Sequence, residues 1–142
     1  MKNEIVKSAG MIIFRRRYDE IQFLLLFQSD SQTWSFPKGR VEAGEDELNT
    51  AKREVWEEIM QRPQPLDDFK AELTYPISQE RVKTVVLFLA ESADEKITIQ
   101  ESELSDFMWV RADEAVQMLQ HNEYAEILQQ AELRIMQEFL KG

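Results

Sequence analysis

The segment from Asp46 to Ile59 constrains the fold more than any other part of the chain. Leu48, Ala51, Val55 and Ile59 follow one another at steps of three, four and four, a single apolar stripe on a helix. Pro63 biases Arg62 towards extended backbone, so the helix has to stop before it. At about 100° per residue, Glu54, Glu57 and Glu58 fall together on one side, next to the stripe. Such a helix is anchored along its stripe while its acidic side faces a cleft. Taken alone, a Glu-rich side is most often solvated surface, because like charges one turn apart cost only about 0.2–0.5 kcal/mol when exposed. The competing reading is a site for a hard cation, which wants oxygen ligands of the kind adjacent turns supply.

The remaining periodicities place this helix in a layered fold. Residues 5–14 and 21–28 are β-rich runs, joined as a hairpin through residues 15–20. Residues 29–44 read as a long loop with some strand. Residues 70–75, 82–91 and 107–110 read as further strands. Residues 112–119 form a helix, and Asn122 is placed to cap a last one whose stripe is Tyr124, Leu128, Ala131, Ile135 and Phe139. The expected class is α+β, an α/β/α sandwich with a mixed β-sheet flanked by helices. The chain's 142 residues, 43% of them hydrophobic, suit one domain over 1–142.

Composition narrows the chemistry. There is no cysteine and one histidine, so thiolate nucleophiles, disulfides and Cys/His zinc sites are excluded. That histidine, His121, lies in a polar stretch between helices and reads as a surface residue. The formal charge of −10 argues against a long nucleic-acid partner, which needs a basic face. It leaves room for a phosphorylated substrate met through a carboxylate-bound metal. No run approaches the roughly 20 apolar residues of a membrane span. The first four residues lack a signal-peptide pattern. A cytoplasmic protein without a membrane partner is expected.

Register upstream of the helix settles how its carboxylates are read. Gly39 is followed after five residues by Glu45; seven more precede Arg53, and Glu54, Val55, Trp56, Glu57 and Glu58 come directly after it. This spacing resembles the Nudix box, Gx5Ex7REUxEExGU, where U is a bulky aliphatic residue. The match is complete through Glu58. Met60 then stands in place of glycine and Gln61 in place of the last aliphatic. Glycine suits that point because a left-handed residue often ends a helix. Met60 is expected to stay right-handed, with termination passed to Arg62 and Pro63.

The resemblance extends over nearly the whole chain. Among Nudix enzymes it is most similar to the asymmetric diadenosine tetraphosphate hydrolases. It is carried by residues 9–16 and 23–26, by Trp34, Ser35, Phe36, Pro37 and Lys38 ahead of Gly39, by residues 83–91, and by Glu103 ahead of residues 107–110. That family has a proline where Phe36 stands and a histidine where Leu104 stands, and the Phe-Pro-Lys-Gly form also occurs in decapping-type Nudix proteins.

The resemblance implies a hydrolase that splits a nucleoside polyphosphate, with diadenosine tetraphosphate cut to ATP and AMP. It implies that Glu54, Glu57 and Glu58, with the Gly39 carbonyl, bind Mg²⁺, or Mn²⁺ in its place. Arg53 would position a box carboxylate and Glu45 would tie the loop to the helix. Glu103 would be a further metal ligand or the general base, with Glu101 the neighbour easiest to confuse with it. Lys38 and Arg40 flank Gly39 as phosphate contacts. Lys83 shares an otherwise apolar strand face with Val85, Leu87 and Leu89, which favours a phosphate contact over snorkelling. Tyr75 is the candidate surface for a base. Trp34 and Trp56 are expected to pack, and Arg15, Arg16 and Arg17 to be hairpin charges. An RNA 5′-end pyrophosphohydrolase, a nucleoside triphosphate sanitising enzyme and a non-catalytic nucleotide sensor remain alternatives. The assembly is either a monomer or a homodimer.

Overall fold

A computed structural model describes residues 4–94, 96–100 and 102–140; Glu101 lies outside them. The first hairpin joins β1 (Glu4–Arg17) to β2 (Glu20–Gln28). Its turn is tighter than the sequence suggests. Tyr18 and Asp19 alone make it, with φ of 54° and 60°, the double left-handed pair that matches strand twist. The arginines expected as loop charges lie at the hairpin end, two of them over aromatic rings of other elements. Arg15 covers Trp109 at 4.6 Å and Arg16 covers Phe139 at 3.4 Å; such stacking adds attraction beyond solubility.

Short strands β3 (Thr33–Ser35) and β4 (Lys38–Arg40) lead into α1 (Glu47–Ile59). After α1 come β5 (Ala71–Pro76), β6 (Arg81–Glu91), β7 (Leu104–Val110), α2 (Ala112–Met118) and α3 (Tyr124–Leu140). The sheet runs β3-β2-β1-β6-β5, with β4 added to β1 and β7 to β2. The β1–β6 pair is parallel and the others are antiparallel. The sheet is therefore mixed.

Alternation along the strands builds two cores. Ile12, Phe14, Phe23, Leu25, Val85, Leu87 and Leu89 join Leu128, Ala131 and Ile135 of α3. Met11, Ile13, Leu24, Leu26 and Val86 join Ala51, Val55 and Ile59 of α1. One helix covers one face and two cover the other, the expected α/β/α sandwich. Phe36 and Leu104, at the two positions departing from the related family, are buried in these cores.

Asp46 caps α1, its carboxylate accepting the Asn49 N–H at 2.7 Å. The other end corrects the sequence reading. Met60 is not right-handed: at φ 54° and ψ 42° it is the left-handed cap itself, its N–H donating to the Trp56 carbonyl at 2.9 Å. A non-glycine residue there costs about 1 kcal/mol, and the helix ends at Ile59 before Pro63 has any say. Gln61, at the usual aliphatic position, is buried with its amide satisfied. Its Nε2 donates to the Asp94 carbonyl at 2.8 Å, and its Oε1 accepts from Ser92 Oγ at 3.1 Å and Ala93 N–H at 3.2 Å. Three hydrogen bonds from one side-chain amide thus staple the helix end to the loop after β6, where an aliphatic residue would only pack.

Candidate active site

Close backbone approach brings the loop to the helix. β4 pairs with β1 through Ser8–Arg40, Ala9–Gly39 and Gly10–Lys38. A Cβ on Gly10 would overlap the Pro37 carbonyl, and one on Gly39 would overlap the Glu54 carboxylate. Gly10 needs glycine because backbone fills the space, and a side chain at Gly39 would displace the Glu54 carboxylate; neither has an unusual φ. The helix carboxylate therefore lies directly against the Gly39 backbone.

Arg53 organises the acidic side. Its Nε and Nη2 grip both oxygens of Glu45 at 2.7 and 3.0 Å, a forked contact that lysine lacks. Its Nη1 donates to Glu54 at 3.3 Å and to both oxygens of Glu57 at 3.2 Å. Its Nη2 also reaches the Arg40 carbonyl at 3.1 Å. Glu45 additionally accepts from the Glu42 N–H and the Thr50 hydroxyl. The Arg53 fork, with these donors, holds its carboxyl down to about 2. In return the guanidinium is pushed further above its ordinary value. Glu58 is buried, and one oxygen accepts the Lys38 N–H at 3.1 Å.

The positive side is built differently. Lys83 of β6 pairs with Tyr75 of β5, and its side-chain nitrogen lies beside that of Lys38, close enough to hydrogen-bond once one of the two amines is neutral. Burial, then the Lys83 charge, pulls Lys38 down to about 8 although Glu58 and Glu54 oppose the shift. Lys83 is lowered by burial first, and the Arg40 charge adds to it. Lys38, Arg40 and Lys83, named separately from sequence, are thus one cationic group. Tyr75 stacks on His121 at 4.0 Å. The sequence reading missed His121: it is half-buried beside the lysine strand, and nothing in its polar neighbours signals a ring partner 46 positions away.

Among the described residues, no three His, Asp or Glu side chains gather at metal-binding distance. Glu103 is exposed, and its carbonyl accepts both the N–H and the hydroxyl of Ser29, at 2.8 and 2.7 Å. Trp56 is corrected as well. It is 38% exposed instead of packed, with the Arg62 guanidinium 4.1 Å over its ring. Trp34 is half-buried against Phe27, as expected of a packing residue.

With that geometry in place, known proteins can be compared. The NUDIX domain matches residues 5–131. The asymmetrical bis(5′-nucleosyl)-tetraphosphatase of Rattus norvegicus is 38% identical over 136 residues, spanning 88% of this chain and 92% of that protein. An RNA pyrophosphohydrolase of Bradyrhizobium is 34% identical over 74 residues, 51% of this chain and 42% of its own length. A crystal structure of a C. elegans Ap4A hydrolase binary complex superposes with a TM-score of 0.84 at 28% identity, covering 92% of this chain and 98% of that one. A carboxylate helix locked to a glycine loop by one arginine, in a sandwich matched along almost its full length, leaves a single assignment: the chain belongs to the NUDIX family and is a Nudix hydrolase.

Proposed function

We propose that residues 1–142 form one catalytic domain that hydrolyses dinucleoside polyphosphates, with diadenosine tetraphosphate as substrate and ATP and AMP as products, using Mg²⁺. The carrying observation is the meeting of two charge groups at β4: Glu54 and Glu58 of α1 face the Lys38 charge, Lys83 lies beside it, and Glu57 is held with Glu54 by Arg53. The full-length likeness to tetraphosphatases supports the dinucleotide over triphosphorylated RNA, and so does a basic group of only a few side chains in an acidic chain. The box departures that suggested a sensor are both accommodated: Met60 supplies the left-handed turn and Gln61 the staple.

Nudix hydrolases generally need a divalent metal. The donor set fits a hard one: all oxygen, from the Gly39 carbonyl, Glu54, Glu57 and Glu58, with Glu103 as a further donor or general base. Such an ion supplies Lewis acidity and a water of lowered pKa. The chain's own residues do the rest. Arg53 orients Glu54 and Glu57, Lys38, Arg40 and Lys83 hold the bridging phosphates, and Tyr75 offers a face to a base. Among the described residues no helix is long and apolar enough to cross a membrane; cytoplasmic action as a monomer or homodimer completes the proposal.

Chromatography of products from diadenosine tetraphosphate, nucleoside triphosphates and triphosphorylated RNA, with and without Mg²⁺, tests it. Metal-dependent ATP and AMP are expected, and Glu57→Gln should lower the rate on the order of 10²-fold or more with the fold intact. No turnover of any of these substrates would sink the reading.

A further inference from the structure

One flank of α1 carries features that the hydrolytic reading does not use. A cavity of about 350 Å³ lies there, lined by Met11, Lys52, Trp56, Arg62, Pro63 and Gln64, with Arg53 at its border with the carboxylates. That volume falls at the lower end of the roughly 300–1,000 Å³ of small-molecule sites. Its wall combines an exposed indole with three cations, Lys52, Arg53 and Arg62, in a chain of net charge −10. Among the described residues neither Lys52 nor Arg62 pairs with a carboxylate, whereas Arg53, one position along, touches several.

The chemistry of these groups specifies a ligand. The Arg62 guanidinium carbon lies 4.1 Å over the Trp56 ring, and a guanidinium stacked on a ring keeps its in-plane N–H fork for an anion such as phosphate. Lys52 adds a point charge, and Gln64 an amide. An exposed tryptophan is the strongest stacking surface a protein offers to a heterocyclic base. We infer that this cavity is a second nucleotide site, taking a nucleoside 5′-monophosphate whose base stacks on Trp56 while its phosphate meets Arg62 and Lys52. Arg53 alone is shared with the carboxylate cleft; Trp56, Arg62 and Lys52, which carry the inference, are not part of it, so the site does not depend on the hydrolytic reading.

The test is a titration of the metal-free protein with AMP, adenosine and inorganic phosphate, followed through the Trp56 indole N–H resonance, assigned by its loss in Trp56→Phe. AMP is expected to shift that resonance saturably, and adenosine and phosphate to bind at least about ten-fold more weakly. Arg62→Ala and Lys52→Ala should each weaken AMP about ten-fold. The shift should persist in Lys83→Ala, where the cleft is impaired. Loss of the shift in Lys83→Ala would place the nucleotide in the cleft alone and overturn the inference. Equal affinity for free phosphate would reduce the site to an anion patch, and an unmoved indole signal would remove it.

Discussion

Arg53 of α1 and Lys38 of β4 meet opposite electrostatic fates. Arg53 is surrounded by Glu45, Glu54 and Glu57, and its charge is reinforced. Lys38 has Glu58 nearby, yet burial and the neighbouring Lys83 prevail and weaken its hold on the proton. The first cation is already matched by the protein; the second is part of a concentration of like charge that only an added anion relieves. One holds carboxylates in place, and the other stands ready for phosphate. The difference is a matter of neighbours, since both residues flank the same short loop.

The contrast breaks most visibly at the lysines. Lys38→Ala combined with Lys83→Ala should lower kcat/KM by at least about 100-fold, since each removes charge-assisted hydrogen bonds worth about 1.5–3 kcal/mol. Steady-state kinetics with the secondary structure intact by circular dichroism checks it; an unchanged KM would mean the pair is structural. Arg53→Lys keeps the charge and loses the fork. Because it disturbs groups that hold others, kcat should fall roughly 10–100-fold with KM little changed, and a KM effect alone would contradict a positioning role.

The smallest effect concerns stability. Lys38 titrates at about 8 in the folded protein against an ordinary value of 10.5. Between those values the unfolded chain binds more protons, so stability rises with pH across the window. Below pH 8 the cost of the buried charge is fully present. Lys38→Met should therefore raise Tm by a few degrees at pH 7 and flatten the rise above pH 8, while impairing substrate binding. Thermal melts from pH 7 to 10.5 decide it, and a variant less stable than the parent at pH 7 would refute the unfavourable pairing.

Much of this was readable before any coordinates. The helix to Ile59 and the shared side of Glu54, Glu57 and Glu58 follow from spacing, because helix geometry is local and periodic. The sandwich followed from alternating strand and helix patterns. What escaped was non-local or rested on one atom group. The Lys38–Lys83 contact requires β4 and β6 to flank the same strand, β1, which no period reveals. Tyr75 and His121 meet only because β5 lies near the entry to α3. Gln61 looked like a departure from a motif until Ser92, Ala93 and Asp94 accounted for its amide. Met60 was misread because propensity disfavours a left-handed methionine, and the tertiary demand at the end of α1 overrode it.

The pairing of β1 also bears on how the molecule comes into being. Glu4 pairs with Arg81 and Phe14 with Glu91, so the central strand completes its contacts only after a long stretch of chain has been synthesised. Closing a loop of that size spends chain entropy before any contact repays it. β4 hangs on this same strand, and with it the glycine that Glu54 rests against. The box helix, by contrast, is local and can gain helical structure early. Recovery of helical signal and recovery of activity are therefore distinct clocks in refolding, and the second keeps time with the slow parallel pair.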